Sequence, residues 1–544
     1  MLGEDSHMQP LVWIINKKLD YLLLFVLFFA ALIYIQFSQT IGDPDGFYHA
    51  KIALLLSRGE LLTSMPWMQL TTLRDSFTDH HLLYHVALVP FVIFGKPLLG
   101  VKLATAGFTA SFFVVFYWTL KRFHSNAPAL FTLVLFLTSA FVFRLSLVKA
   151  NSLSLIVFFL ILIAIFEGRW KLLFVLNMFY VWLYGGWLLA WVVVGIYSVA
   201  SSLYRLLKKK KKSWQAIFSS RPRSLRKHLS LIILATIGGS LMGLLLNPYW
   251  PQNINFYLQQ VWQIAIINQG NVIGVGGEWS SYTLREFASN LSFVFIFFGI
   301  GIALLLTQFM NMQAQRVRLR TWVGLLLAMV FIVFTLKSRR YIELSAPMMI
   351  FFASSVWSDF FPPGMLKHLW NTWKKSVSRI RRELIVSVVI GISLFILVPD
   401  VGLWSRVNLA AGEISQGVPL DRYAAASQWL KSNTPAGSVV LHSDWDDWPM
   451  LFFYNDHNYY LVGLDPTFMY NYDRELYGRW VDLTRDGTAE NLRELVNEDF
   501  QSEYIIIEKD HTAMQQQFAQ NIYFRLVYED DDAWIYHALS PRSI

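Results

Sequence analysis

Predominantly apolar stretches about as long as a bilayer's hydrocarbon core is thick recur along this chain. In lipid such a stretch must satisfy its own backbone N–H and C=O groups, which leaves the helix as its conformation. Stretches of this kind lie at 21–37, 98–120, 127–147, 152–167, 172–185, 186–207, 228–246, 291–310, 321–336, 341–360 and 383–399. They predict a polytopic α-helical membrane protein with about 11 transmembrane helices. Only 15% of the 544 residues are charged, against about 25% in soluble domains. The first stretch carries no small-residue cleavage site and reads as a retained anchor. Without cysteine, disulfides and thiolate metal sites are excluded. The net charge of +9 is not a nucleic-acid signal, because the basic residues cluster in loops, where they set topology.

Lys17 and Lys18 precede the first span and predict a cytoplasmic N-terminus. The apolar run Leu82–Gly95 is too short to cross and reads as a juxtamembrane helix on the outer surface. Counting it as a span would put Lys121, Arg122 and the Lys208–Lys212 run outside. Lys208–Lys212 reads as a topology signal with lipid headgroup binding secondary, and Arg316, Arg318, Arg320 and the segment 367–382 also fall inside. Residues 1–400 then form a transmembrane domain with outer loops 38–97 and 247–290, and 401–544 a soluble extracytoplasmic domain. That domain reads as mixed α/β: Ser438–Leu441 and Tyr504–Ile507 as strands, Tyr423–Lys431 as a helix ending before Pro435.

Five polar clusters land on the outer side. In Gly42-Asp43-Pro44-Asp45-Gly46-Phe47-Tyr48-His49, Asp43 reads as a helix N-cap and Pro44 as the first helical residue. Asp45, Tyr48 and His49 then share a helix face, although a plain cap and a dipole-complementing carboxylate explain the pair of aspartates equally well. In Asp79-His80-His81-Leu82-Leu83-Tyr84-His85, His81 and His85 stand at i, i+4. With Asp79 and Asp45 they make a candidate site for Mg²⁺ or Mn²⁺ against a phosphate; interfacial decoration is the bland reading. Arg144 and Lys149 close the outer end of the third span, where simple snorkelling also accounts for them. Lys337, Arg339 and Arg340 put three cations on the side the positive-inside rule disfavours, and so predict an anionic partner such as a phosphate or diphosphate headgroup. Glu278 follows Gly276-Gly277 on a long aromatic loop, a pattern for a mobile loop that swings a carboxylate over a site.

Together, these features resemble a GT-C glycosyltransferase. Asp43–His49 is similar to the first acidic motif of oligosaccharyltransferase catalytic subunits, Asp79-His80-His81 to their second, and Glu278 to their flexible-loop glutamate. Trp445-Asp446-Asp447-Trp448-Pro449 resembles their Trp-Trp-Asp-Tyr-Gly acceptor motif, without its Tyr and Gly. Those enzymes usually place the second acidic motif after the third span, where this chain has Ala150-Asn151-Ser152-Leu153-Ser154 and no carboxylate. The early Asp-His-His and the short outer helix instead resemble lipid-linked monosaccharide transferases. The resemblance implies an integral glycosyltransferase of a bacterial or archaeal cell membrane, moving sugar from a polyprenyl-(di)phosphate donor to a glycan, lipid or protein acceptor. It implies Asp45, Asp43 and Glu278 as catalytic carboxylates, with Asp45 the base. Arg144, Lys149, Lys337, Arg339, Arg340, Tyr48, His49, Trp445 and Asp446 would bind substrate. Oligosaccharyltransferase-like protein glycosylation, a lipid or sugar transporter or flippase, and a non-enzymatic assembly or sensor protein remain alternatives. The near absence of charge in the middles of the spans favours chemistry at the surface over ion-coupled transport.

Overall fold

The computed structural model describes residues 19–208, 223–267, 273–274, 276–311, 317–361 and 402–539. Lys17, Lys18, Lys209–Lys212, Arg316, the segment 367–382 and the expected span 383–399 lie outside the described residues. The described chain opens with α1 (Leu19–Ile35), the two-residue strand β1 (Thr40–Ile41), α2 (Asp45–Ser57) and α3 (Leu82–Val92). Next come α4 (Pro97–Arg122), α5 (Pro128–Phe136), α6 (Ser139–Ser146), α7 (Asn151–Glu167), α8 (Trp170–Leu183), α9 (Leu189–Lys208) and α10 (Arg223–Leu245). The helical region closes with α11 (Gln252–Leu258), α12 (Leu284–Asn290), α13 (Ser292–Met310), α14 (Leu319–Lys337) and α15 (Ile342–Phe360).

Among the described residues, α4, α10, α13 and α14 are each long and apolar enough to cross a membrane. The stretch 127–147, expected as a single straight span, is bent: α5 and α6 meet at 75°. Thr138 makes the break, because its backbone is extended and its carbonyl accepts the N–H groups of Phe141 and Val142 to start a new helix. The bend carries Arg144, near the end of α6, into the protein interior rather than out to a headgroup. Proline at the first turn starts α4 and α5, and Gly168, at φ +67°, ends α7. Between α8 and α10, Gly239 and Gly243 let the backbones touch: a Cβ on either would fall 2.3 Å from Phe174 O or 2.5 Å from Met178 O. This is close packing through small residues four apart, which replaces the hydrophobic drive that lipid removes.

Beyond α16 (Leu403–Ser415), β2 (Val418–Pro419) pairs antiparallel with β1, tying the C-terminal region to the loop that precedes α2. Next come α17 (Ala424–Asn433), β3 (Val439–His442), α18 (Trp448–Tyr454), β4 (Tyr459–Tyr460), β5 (Tyr504–Glu508), β6 (Phe524–Glu529) and β7 (Ala533–Ala538). The sheet order is β4-β3-β5-β7-β6; β3 runs parallel to β4 and β5, while β7 is antiparallel to β5 and β6. Ile505, Ile506 and Ile507 are all buried, as an unbroken apolar run in a central strand requires. The loop before α3 lies along the sheet edge, with the Gln69 and Leu70 N–H groups donating to Tyr460 O and Leu461 O at 2.8 and 2.9 Å. α18 packs on α2 through Phe453 against Phe47 and Trp448 against Tyr48, with a 2.9 Å ion pair between Lys51 and Asp456. That docking brings the Trp445–Trp448 segment against the first acidic motif.

Candidate active site

The start of α2 aims the acidic motif. Asp43 Oδ1 accepts the Asp45 N–H at 3.0 Å and Pro44 takes a helical φ of −57°, so Asp45, Tyr48 and His49 project from one face. All three line one polar cavity of about 120 Å³. The second oxygen of Asp43 lies 2.8 Å from Lys149 Nζ, and the same ammonium meets Asp45 Oδ2 at 3.0 Å and Glu278 Oε2 at 3.4 Å. Lys149 sits on the turn between α6 and α7, where its N–H donates to Leu147 O at 2.8 Å. Three carboxylates from two separate segments thus converge on one buried cation.

Arg144 extends the cluster inward. Its guanidinium donates to Glu278 at 2.8 Å and to Glu343 at 2.6 Å, and Asn151 adds a 2.8 Å bond to Glu343. From the other side Arg340 faces Glu278 at 3.7 Å and stacks 4.5 Å above Trp279. The Glu278 loop is pinned against the turn after α14: Ser338 Oγ donates to Glu278 O and the Arg339 N–H to Ser280 O, each at 3.0 Å.

Burial alone would raise Glu278, yet Lys149, Arg340 and Arg144 together hold it well below the usual carboxylate range. Asp45 shifts the other way. Burial raises it, Lys149 alone opposes, and the Asp43 and Glu278 carboxylates add to the rise, which reaches about 6. The opposite signs follow from the partners: three cations clasp Glu278, one serves Asp45. Asp446 is pushed up to about 9 by burial and by the carboxylates of Asp444, Asp45 and Asp43. A carboxyl that keeps its proton to higher pH in the folded chain than in the unfolded one makes its full contribution to stability below the ordinary carboxylate range. That contribution is lost as pH rises towards about 9. Asp446→Asn, which cannot ionise, is therefore expected to gain melting temperature relative to the parent as pH rises from about 5 to about 9. A difference constant with pH would contradict the assignment.

The Asp-His-His segment forms a hydrogen-bonded chain that reaches His49. Asp79 Oδ1 accepts the His81 N–H at 2.9 Å, its Oδ2 meets His85 Nδ1 at 2.7 Å, and His85 Nε2 meets His49 Nδ1 at 2.7 Å. With Asp79 ionised, His85 donates to it and accepts from His49. His81 Nδ1 turns away to Leu183 O at 3.2 Å. The expected set of Asp45, Asp79, His81 and His85 therefore does not converge: α3 starts only at Leu82, both ring nitrogens of His85 are engaged, and Asp45 lies on Lys149. Among the described residues no group of three or more His, Asp and Glu side chains is disposed to hold a metal ion.

A second cavity, of about 400 Å³, runs between α9 and α14, walled by Leu188, Leu189, Val192 and Phe334. It shares His80, His81, Tyr184, Gln260, Trp279 and Arg340 with the polar cavity, so an apolar passage ends where the carboxylates begin. Lys337 lines this passage. Arg339 does not: it faces Glu286 at 3.6 Å and Tyr282 at 4.9 Å, away from the cavity. Trp445 borders a third cavity, of about 410 Å³, with Asp444, Tyr477, Trp480 and His511, and comes close to Gly276. Trp448 is buried and donates to Trp67 O at 2.8 Å, so within the Trp-Asp motif it anchors the domain. Reading the sequence missed Glu343, Asn151 and Asp465, the last lining the polar cavity from the C-terminal domain. A carboxylate in the first turn of an apolar helix was a usable signal for Glu343; Asp465 had none.

No family model matches the sequence, and no curated protein does. Among solved structures, the oligosaccharyltransferase AglB of Archaeoglobus fulgidus, in complex with an inhibitory peptide and a dolichol-phosphate, aligns at 14% identity with a TM-score of 0.60. The alignment covers 97% of this chain and 75% of that one. ArnT of Cupriavidus metallidurans bound to undecaprenyl phosphate aligns at 14% identity, TM-score 0.53, over 97% of this chain and 98% of that one. The chain has a GT-C-like fold. At such identity the likeness establishes the architecture of helices and C-terminal α/β region, and the chemistry of this GT-C-like chain has to be argued from its own residues.

Proposed function

We propose that the protein is an integral membrane glycosyltransferase that moves a sugar from a polyprenyl-(di)phosphate donor to an acceptor at the extracytoplasmic face. The observation that carries this reading is the junction of the two cavities: an apolar passage suited to an isoprenoid chain opens at Arg340 onto a chamber lined by carboxylates and by Lys149. The dolichol-phosphate and undecaprenyl phosphate in the two similar structures support it. Asp45 removes the proton of an acceptor hydroxyl as its oxygen attacks the anomeric carbon. The bond from that carbon to the phosphate oxygen breaks, and the electron pair leaves with the phosphate, whose charge Arg340 and Lys337 stabilise. Trp445 and Asp446 face the acceptor side.

The long apolar helices carry their charged residues near their ends, which favours this reading over a transporter, which needs ionisable groups near the bilayer midplane. Proteoliposomes supplied with polyprenyl-phosphate sugars test it by release of polyprenyl phosphate; retention of every donor offered, with transport of one of them, would favour the transporter. Arg340→Gln should weaken undecaprenyl phosphate binding about 10- to 100-fold, the worth of one charge-assisted hydrogen bond. Calorimetric titration in nanodiscs reads this directly, and unchanged affinity would remove Arg340 from the donor site.

A further inference from the structure

We infer that the cation needed by the three carboxylates of this site is supplied by the chain itself, as the Lys149 ammonium, and that the site works without a divalent metal ion. Asp43, Asp45 and Glu278 point at one Nζ from 2.8, 3.0 and 3.4 Å. Carboxylates crowded in this way repel one another unless a cation stands between them, and here a covalently attached one does. Lys149 is not a surface lysine caught in passing: its side chain is 11% exposed and its backbone is held in the turn that joins two packed helices. Burial opposes its charge, while the three carboxylates keep it protonated.

A divalent ion would need the same oxygens at about 2.0–2.6 Å. Glu278 has both of its oxygens engaged, Oε2 by Arg144 and Lys149 and Oε1 by Arg340. A dication placed among them would stand against an ammonium and two guanidinium groups. The next residues, Ala150–Ser154, bring no carboxylate to offset that repulsion, and of the nearby imidazoles His85 has both ring nitrogens engaged, His49 Nδ1 is bonded to His85 and His81 Nδ1 to Leu183 O. The donor set therefore fits an ammonium and does not fit Mg²⁺ or Mn²⁺.

The inference depends on the glycosyl-transfer reading only for its consequence that turnover is indifferent to chelators; the cation itself is measured without turnover. The experiment is Mn²⁺ titration of the full chain in nanodiscs, followed by electron paramagnetic resonance. The parent and Lys149→Arg are expected to bind no Mn²⁺ at the carboxylates. Lys149→Met, which removes the charge and keeps the stem, leaves Asp43 and Asp45 without their cation and is expected to bind one Mn²⁺ per chain through those two carboxylates, and adding Asp45→Asn should abolish it. One Mn²⁺ bound by the parent and lost on Asp45→Asn would overturn the inference, as would a folded Lys149→Met that binds none. If Lys149→Met fails to fold, the parent titration alone decides. Sugar transfer abolished by chelator and restored by Mn²⁺ would sink the metal-free site while leaving the transfer reading intact, whereas absent transfer with the predicted Mn²⁺ pattern would do the reverse.

Discussion

Asp45→Asn is expected to lower sugar transfer by a factor of about 10²–10⁴, the usual worth of a positioned general base. The amide keeps the shape of the side chain and a contact to Lys149, so loss of proton acceptance is the main change. The parent should show the matching pH dependence. Asp45 works only when ionised, and its carboxyl is pushed up to about 6, so kcat/KM should climb as pH rises through about 6 and level off above it. Asp43→Asn should cost much less, because Asn also accepts the Asp45 N–H that starts α2. Near-normal transfer by Asp45→Asn would remove it as the base, and His49, held by the Asp79–His85 pair, would be the next group to test.

The second large effect is on stability. Arg144→Met should destabilise the protein by about 3–5 kcal/mol, the range for removing one partner of a buried ion pair. Glu343 is 6% exposed and takes its charge compensation from Arg144, with Asn151 adding only a neutral hydrogen bond. Stripped of that guanidinium, its carboxylate is left buried without the cation it faces. Glu343→Gln in the same background should recover much of the loss, since a buried pair replaced on both sides leaves no orphan charge. Denaturation of the single and double variants in detergent checks this. Equal instability in both would show that Arg144 acts through packing alone.

Much of this arrangement was legible in the chain because it is local. Asp-Pro predicts the start of α2, and a helical period then puts Asp45, Tyr48 and His49 on one wall. Local spacing misled where the helix began later than the pattern implied: His81 and His85 stand four apart, but Leu82 is the first helical residue. The bend at Thr138 left no trace in an apolar run, since hydropathy does not register one extended residue. Arg339 and Arg340 are neighbours of identical chemistry, yet the turn after α14 sends one to the surface and the other to Glu278. The meeting of Asp43, Lys149, Glu278 and Glu343 is a tertiary fact, because these residues come from four stretches far apart in the chain. Reading the sequence could name most of them without pairing them.

In the proposed reaction a lipid phosphate docks where the apolar passage meets the carboxylate chamber. A cryo-electron microscopy structure of the protein in nanodiscs with added undecaprenyl phosphate tests it most directly. Phosphate density is expected within hydrogen-bond reach of Arg340, with the isoprenoid chain running past Leu188, Val192 and Phe334. Phosphate density at Arg339 on the surface, with the passage between α9 and α14 holding no lipid, would contradict it.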